Sequence, residues 1–128
     1  MTKIAIETTA APTPAGPYSQ GIVANGFLYT AGFGPQDPTT GRVADNVGDQ
    51  TRQVLRNISA VLAEHGLTLN DSVKVTAYLQ NLKHDFAEYN AAYSEFFAAP
   101  FPVRTTVGSQ LFESLVEIDV VAALPRRS

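Results

Sequence analysis

The stretch at residues 115–123 has the composition of a β-strand and carries apolar side chains in both of its alternating sets. The two sets are Val116, Ile118 and Val120 on one side, and Leu115 and Val121 on the other. Successive side chains of a strand point to opposite faces of a sheet, so both faces of this sheet need a cover. The chain has 128 residues, which is the length of a single domain, and its two predicted helices can cover only one face. We therefore expect the other face to pack against further copies of the chain in a closed homo-oligomer, with a ligand site at the boundary between copies.

The other elements are predicted from turn residues and hydrophobic periodicity. Asn25-Gly26 lies between two apolar runs, which is typical of a β-hairpin with a type I′ turn. Apolar residues at helical spacing predict a first helix: Val54, Leu55, Ile58, Val61 and Leu62. Aromatic residues predict one face of a second helix: Phe86, Tyr89, Tyr93, Phe96 and Phe97. Gly66 is expected to end the first helix, and Pro100 and Pro102 to end the second.

The predicted elements alternate between strands and helices. In chain order they are strands at 3–6, 19–24 and 27–31, a helix at 47–64, a strand at 71–79, a helix at 84–97, and strands at 103–107 and 115–123. Strands combined with two amphipathic helices predict an α+β fold or a small α/β sandwich. The length predicts a single domain over residues 1–128.

Composition argues against several classes of function. The chain has no cysteine, which excludes disulfides, thiolate nucleophiles, iron–sulfur clusters and cysteine-bound zinc. Its two histidines, His65 and His84, lie in different predicted segments and look like residues at the end and the start of a helix, so we expect no metal site. Gly32-Phe33-Gly34 does not continue into a phosphate-binding loop of the Walker or dinucleotide type.

Charge and hydropathy narrow the range of partners. The net charge is −3 and the basic residues form no stripe, so we expect no nucleic-acid partner. The apolar runs are only a few residues long, against the ~20 needed to cross a bilayer, so we expect no membrane partner. The first residues lack the apolar core of a signal peptide, and a cytoplasmic location is expected.

Arg104 stands out because a guanidinium lies among the β-branched residues of the strand at 103–107. Its planar set of donors matches a carboxylate. Two hypotheses are open: Arg104 pairs with a cross-strand acid such as Glu117 or Asp119, or it binds a ligand. The two acids are two residues apart and share one face of their strand. They form either an exposed polar face or a general acid or base whose pKa is set by its neighbours.

Two further residues have both a structural and a functional interpretation. Tyr18 follows Gly16-Pro17 where a loop becomes a strand, so its ring belongs to the core or stacks on a ligand. Asn90 lies among the aromatic residues of the second helix. Its amide either bonds the backbone or contacts a substrate.

Five segments resemble the RidA family, also called the YjgF family, in order and spacing over essentially the whole chain. They are Gly16-Pro17-Tyr18-Ser19-Gln20, Thr30-Ala31-Gly32, residues 90–97 (NAAYSEFF), residues 102–107 (PVRTTV) and residues 116–122 (VEIDVVA). The resemblance implies a chorismate-mutase-like α+β fold with a six-stranded sheet and two helices on one face. It further implies a homotrimer in which the sheets face a central barrel.

The resemblance also implies an enzymatic activity. RidA-type proteins hydrolyse reactive enamines and imines, such as 2-aminoacrylate released by pyridoxal-phosphate-dependent dehydratases, to 2-keto acids and ammonia. They act on C=N bonds without a cofactor, in clefts between subunits. Arg104 matches the arginine that clamps the substrate carboxylate, and Glu117 matches the acid that orients the attacking water. The positions that match the pocket lining are Tyr18, Ala31, Gly32, Asn90 and Thr106.

Two positions depart from the family pattern. Ala31 stands where a serine is common, and Thr106 where a cysteine is common. Loss of one neutral hydrogen bond typically costs about 0.5–1.5 kcal/mol, so these changes are expected to alter substrate preference rather than the type of reaction. The main alternative is a non-catalytic module that binds small carboxylates through Arg104. A nuclease is disfavoured by the net charge of −3, and no exposed apolar segment indicates a chaperone.

Overall fold

The computed structural model describes residues 2–126 and has the predicted α+β class. Its elements are β1 (Ile4–Ile6), β2 (Gly21–Ala24), β3 (Phe27–Thr30), α1 (Val47–Ala63), a 3₁₀ turn at Leu69–Asp71, β4 (Ser72–Leu79), α2 (Leu82–Ser94), β5 (Val103–Gly108) and β6 (Val116–Ala123). The strands form one mixed sheet in the order β1-β2-β3-β6-β4-β5, with β5 parallel to β4 at one edge. The predicted domain ends at Met1 and Ser128 lie outside the described residues.

The hairpin between β2 and β3 is confirmed. Asn25 and Gly26 have φ angles of 53° and 83°, which are the positive values that a type I′ turn requires at both central positions. The hairpin pairs Ile22 with Tyr29, so both of these side chains lie on the same face of the sheet.

Helix α1 begins and ends with the expected local signals. The Asn46 side chain accepts a hydrogen bond from the Asp49 N–H at 2.8 Å, which satisfies one of the free donors of the first turn. Gly66 has a φ of 70°, the left-handed conformation that commonly follows a helix.

Helix α2 differs from the prediction at both ends. The sequence predicts 84–97, whereas the helix runs from Leu82 to Ser94. Phe97 lies beyond it and is nevertheless buried, with its ring stacked on that of Tyr93 at a centroid distance of 4.4 Å. The aromatic spacing therefore predicts helix at residues 95–97, which lie outside the helix.

Both helices cover the same face of the sheet. The covered side chains of β6 alternate with half-buried ones along the whole strand, and Val116, Ile118 and Val120 are all buried. The α1 residues predicted to face the core, Val54, Leu55, Ile58, Val61 and Leu62, are fully buried. No helix in the described part of the chain is both long and apolar enough to cross a membrane.

The opposite face of the sheet, here called the open face, keeps large apolar side chains exposed. Phe27, Tyr29, Val103 and Val107 belong to this face by strand register, and each is at least 38% exposed. Within residues 2–126, no element packs over them. The single chain thus leaves uncovered the face for which the sequence predicts a second copy.

Candidate functional site

The sheet register places Arg104 and Glu117 on opposite faces. Arg104 pairs with Val75, and Val75 pairs with Val120. Both valines are buried beneath the helices, and residues paired across strands point to the same face. Glu117 pairs instead with Tyr78, in the alternate set of side chains. Arg104 therefore lies on the helix side and Glu117 on the open face.

The other predicted site residues join one of these two groups. The arginine half-site consists of Asn90, Arg104 and Thr106. The glutamate half-site consists of Tyr18, Ala31, Gly32 and Glu117. All four residues of the glutamate half-site line one open cavity of about 670 Å³. Asn90 and Arg104 line a separate recess of about 340 Å³.

Arg104 is exposed at the edge of the sheet but is held against α2. Its guanidinium donates a hydrogen bond to the Asn90 side-chain oxygen at 2.8 Å. Three aromatic rings of α2 surround its guanidinium carbon at 4.6, 5.6 and 5.9 Å: Tyr93, Tyr89 and Phe86. Cation–π contacts at these distances stabilise a guanidinium. Asn90 thus bonds the arginine and not the backbone.

The positive charge of Arg104 has only neutral neighbours. Burial raises the pKa of Tyr93 to about 12 and the pKa of Tyr89 above its usual value, although Arg104 opposes both shifts. Both phenols therefore stay protonated at neutral pH. Among residues 2–126, no carboxylate forms an ion pair with Arg104. The hypothesis that it pairs with Glu117 or Asp119 is wrong, because those acids point to the other face.

Thr106 is tied to the core. Its hydroxyl lies 2.9 Å from the hydroxyl of Tyr89, whose side chain is fully buried. Thr106 shares the helix side of the sheet with Arg104, since it pairs with Ala77. This hydroxyl therefore helps to fix one of the rings beneath the guanidinium.

Glu117 lies directly over the backbone of Gly32. A Cβ atom at position 32 would come within 2.6 Å of Oε2 of Glu117, closer than any ordinary carbon–oxygen contact. Gly32 does not have a positive φ. The Glu117 carboxylate occupies the space that a side chain at position 32 would need, so such a side chain would displace the carboxylate.

One extra residue in the chain creates this contact. Tyr29 pairs with Val121, and Phe33 pairs with Ile118. Three residues, 30–32, therefore lie opposite only two, 119–120, which is a β-bulge. The Thr30 hydroxyl accepts a hydrogen bond from the Val120 N–H at 3.0 Å and replaces the missing ladder bond. The bulge brings Gly32 next to β6 on the open face.

The carboxylates of the open face are poorly stabilised in their ionised form. Burial raises the pKa of Glu117, and the negative charge of Asp119 raises it further. Burial also raises the pKa of Asp119, with a partial opposing effect from Lys74. No hydrogen-bond donor from the described part of the chain contributes to the Glu117 shift. Such a carboxylate is a stronger base than a freely solvated one.

Tyr18 is 52% exposed, so the hypothesis that it belongs to the core is wrong. Its hydroxyl accepts a hydrogen bond from the Ala15 N–H at 3.1 Å. This bond holds the ring across the preceding proline-rich turn. The ring faces the same cavity as Glu117.

A model of the family described as Endoribonuclease L-PSP matches residues 8–124. The chain belongs to this family. It is the RidA or YjgF family that the sequence resembles. The match extends from the segment before the glutamate half-site to the residue after β6, so both half-sites lie inside the RidA region.

Similar proteins of the RidA family have been named in different ways. A RutC family protein of Pyrococcus horikoshii is 46% identical over 123 residues, which cover 94% of this chain and 97% of that protein. A Salmonella typhimurium protein named 2-iminobutanoate/2-iminopropanoate deaminase is 40% identical over 125 residues, covering 95% and 97%. The crystal structure of E. coli TdcF with bound serine matches with a TM-score of 0.88 at 32% identity, covering 98% and 99%.

Two features of this RidA-family structure were not predicted: the contact of the α2 rings with Arg104, and the structural role of Gln20. The sequence predicted the rings around Arg104 only as the inner face of a helix. Their contact with the guanidinium could have been expected, because α2 directly precedes β5, the strand that carries Arg104. Gln20 was also missed. It is 3% exposed, and its amide makes four hydrogen bonds to backbone atoms of the proline-rich loop, with Thr8 (twice), Ala11 and Pro12.

The two histidines lie apart from both half-sites. His84 is 88% exposed at the start of α2 and contacts Asp85 at 2.7 Å, as expected for a surface residue. His65 follows the end of α1. Among residues 2–126, no group of three or more potential metal-ligating side chains occurs.

Proposed function

We propose that this protein hydrolyses 2-imino acids and their enamine forms, such as 2-aminoacrylate, to 2-keto acids and ammonia. The observation that carries the proposal is the state of Arg104, whose guanidinium is fixed by Asn90 and aromatic rings yet has no anionic partner in the described chain. A guanidinium held in this way is suited to bind a ligand carboxylate through two parallel hydrogen bonds. The name of the Salmonella relative agrees with the reaction.

The complete site is proposed to form between two copies of the chain. Arg104 and Glu117 lie on opposite faces of the sheet in one copy, so a single chain cannot present both to one small molecule. The exposed apolar residues of the open face supply a surface for association. A homotrimer with a chorismate-mutase-like fold and a central sheet-lined barrel, as in the family, would bring the arginine half-site of one copy to the glutamate half-site of the next. Residues 1–128 are proposed to form one RidA-like domain.

The proposed reaction uses the chain's own side chains and a water molecule. Arg104 holds the substrate carboxylate, and Glu117 accepts one proton from the water while the water oxygen bonds to the imine carbon. Glu117 passes this proton to the nitrogen, which gives a carbinolamine. The hydroxyl proton of the carbinolamine then moves through Glu117 to the nitrogen as the C–N bond breaks, so ammonia leaves and the carbonyl of the 2-keto acid forms. Orientation of water against an already reactive imine supplies the acceleration, and no cofactor is needed.

The glutamate half-site supports the role of Glu117 as the base. Burial and Asp119 raise the pKa of Glu117, which strengthens its carboxylate as a proton acceptor. Gly32 leaves room for its carboxylate, and Tyr18 and Ala31 line the same cavity. Because Ala31 has no hydroxyl, this wall offers the substrate one hydrogen-bonding group fewer than a serine would.

The test is a coupled assay in which an amino-acid oxidase generates 2-imino acids and semicarbazide traps those not yet hydrolysed. We expect the protein to reduce semicarbazone formation. Arg104→Ala and Glu117→Gln should each lower kcat/KM roughly 100-fold, because each removes a charged group that contacts the reactants. If Glu117→Gln is fully active while Arg104→Ala is inactive, Glu117 is not the base. If no imino acid is accelerated but 2-keto acids bind through Arg104, the protein is a non-catalytic carboxylate-binding module.

A further inference from the structure

The recess beside Arg104 is a second feature of the arginine half-site. Its walls are the rings of Tyr93, Phe97 and Phe101 together with Pro102, and Arg104 forms one side. Tyr93 and Phe97 are stacked at 4.4 Å, whereas Phe101 is 68% exposed at the mouth. The recess has a volume of about 340 Å³. It is therefore an apolar space that opens next to a cationic group.

Two polar groups on the wall already have hydrogen-bond partners. The Asn90 side-chain oxygen accepts the hydrogen bond from Arg104. The Ser94 hydroxyl donates to the backbone oxygen of Ala91 at 2.7 Å. An apolar occupant of the recess therefore does not have to break either of these two bonds.

The Tyr93 ring connects the recess to the guanidinium. Its centroid lies 4.6 Å from the guanidinium carbon of Arg104, and the same ring stacks on Phe97 inside the recess. A carboxylate bound to Arg104 therefore lies about one ring width from the apolar space. In a 2-imino acid, the side chain begins two bonds from the carboxylate carbon, so it lies close to the recess when the carboxylate is bound to Arg104.

We infer that this aromatic recess binds the side chain of the 2-imino acid and selects substrates with larger apolar side chains over those with a methyl group. The inference rests on the proposed function for the orientation of the ligand. A methyl group would leave most of a 340 Å³ space unfilled, whereas a branched C4 or aromatic side chain would contact the rings. Each additional buried CH₂ strengthens binding about fourfold.

Stable 2-keto acids allow the recess to be tested without catalysis. We would titrate the full chain with pyruvate and with 4-methyl-2-oxopentanoate by isothermal calorimetry, and measure hydrolysis of the imines derived from alanine and leucine in the coupled assay. We expect the longer keto acid to bind at least about tenfold more tightly than pyruvate. Equal affinity for the two keto acids would overturn the inference.

A variant that fills the recess locates the preference. Ser94 is exposed at the last residue of α2 and lines the recess, so Ser94→Phe is expected to fold. It should lower the ratio of the two affinities at least fivefold. Ala87→Phe adds the same ring to an exposed position of α2 outside the recess lining and should leave the ratio unchanged. If both variants change the ratio equally, the recess is not the side-chain site.

The two readouts separate this inference from the proposed function. If leucine- and alanine-derived imines are hydrolysed with equal kcat/KM, the proposed function stands and the side-chain assignment fails. If neither imine is hydrolysed but the keto acids bind with the expected ratio, the recess assignment stands and the proposed hydrolysis fails.

Phe101→Ala, which removes a wall at the mouth of the recess, should weaken binding of the longer keto acid more than binding of pyruvate. An equal loss for both ligands contradicts the assignment.

Discussion

The arginine and glutamate half-sites are built by different means. Side chains hold Arg104: the Asn90 amide bonds it, and the rings of α2 lie against it. Backbone geometry positions Glu117, because a bulge brings Gly32 beside it and leaves space for its carboxylate. Among the described residues, no carboxylate pairs with the arginine and no donor bonds the glutamate carboxylate. The comparison indicates that the arginine half-site can accept an anion and the glutamate half-site can accept a hydrogen-bond donor. One ligand bound between two copies would supply both.

The first prediction tests whether the two half-sites belong to different copies. Arg104→Ala keeps an intact glutamate half-site, and Glu117→Gln keeps an intact arginine half-site. If the two inactive variants are unfolded together and refolded in equal amounts, random assembly into a ring gives one complete site wherever the two correct halves adjoin. Activity in the coupled assay should then rise from about 1% of wild type to roughly a quarter.

The control for this experiment is a mixture of the same variants that has not exchanged subunits. It should remain at the activity of the separate variants. If the refolded mixture also stays at that level while refolded wild type recovers, Arg104 and Glu117 act within one copy, and the division into half-sites is incorrect.

The second prediction concerns the backbone support of Glu117. Gly32→Ala places a methyl group 2.6 Å from the present position of Oε2, so the carboxylate must move. We expect kcat/KM to fall at least about tenfold, because a displacement near 1 Å in a reacting group has a large effect on rate. The thermal stability of the protein should fall as well.

A double-mutant cycle provides the control for the glycine substitution. In a Glu117→Ala background, the colliding carboxylate is absent, so Gly32→Ala should cost much less unfolding free energy than it does in wild type. Equal costs in the two backgrounds would show that Gly32 is required for a reason unrelated to Glu117.

The sequence predicted the architecture better than it predicted the division of the site. Hydrophobic and β-branched patterns, together with turn residues such as Asn25-Gly26 and Gly66, identified both helices and the six strands of the described chain. The family resemblance supplied the candidate site residues, which stay a prediction, but it did not say which face of the sheet each would occupy. That depends on register between distant strands, such as the pairing of Val75 with both Arg104 and Val120. A bulge of one residue shifts such a register and has no signal in the sequence.

The same limit explains the errors at individual residues. Tyr18 and Asn90 were each given two interpretations because an aromatic ring or an amide has the same sequence signal in a core and in a site. Phe97 was predicted in α2 because it lies four residues after Tyr93, and its ring stacks on Tyr93 although the helix has already ended. In each case a contact between residues that are not in one regular element decided the outcome.

The third prediction addresses Thr106, which the resemblance places in the pocket lining. Its hydroxyl bonds Tyr89, so Tyr89→Phe and Thr106→Val should each lower the free energy of unfolding by about 1 kcal/mol. The double variant should lose little more than either single variant, since all three remove one shared bond. Chemical denaturation measures these changes. Thr106→Ser keeps the hydroxyl and should retain most of the stability; additive losses in the double variant would mean that the bond contributes nothing.

The smallest effect is expected at Asp119, which acts on Glu117 only through its charge. The negative charge of Asp119 raises the pKa of Glu117, and the proposed reaction needs Glu117 ionised, so activity should fall as pH drops through this raised value. Asp119→Asn removes the charge and lowers the pKa of Glu117. The acid limb of the kcat/KM profile should therefore move to lower pH, by less than about one unit.

Asp119→Glu keeps the charge and should leave the acid limb near its wild-type position, so a shift of the same size in both variants would assign the effect to packing. Stability gives an independent check with its own sign. Burial raises the pKa of Asp119 above its ordinary value of 3.8, which means that the folded protein disfavours the ionised carboxylate. Asp119→Asn should therefore stabilise the fold at neutral pH, and this gain should disappear as pH falls toward 3.8 and the wild-type carboxyl becomes protonated in both states. A gain that is constant across this range would show that the charge of Asp119 is not the cause.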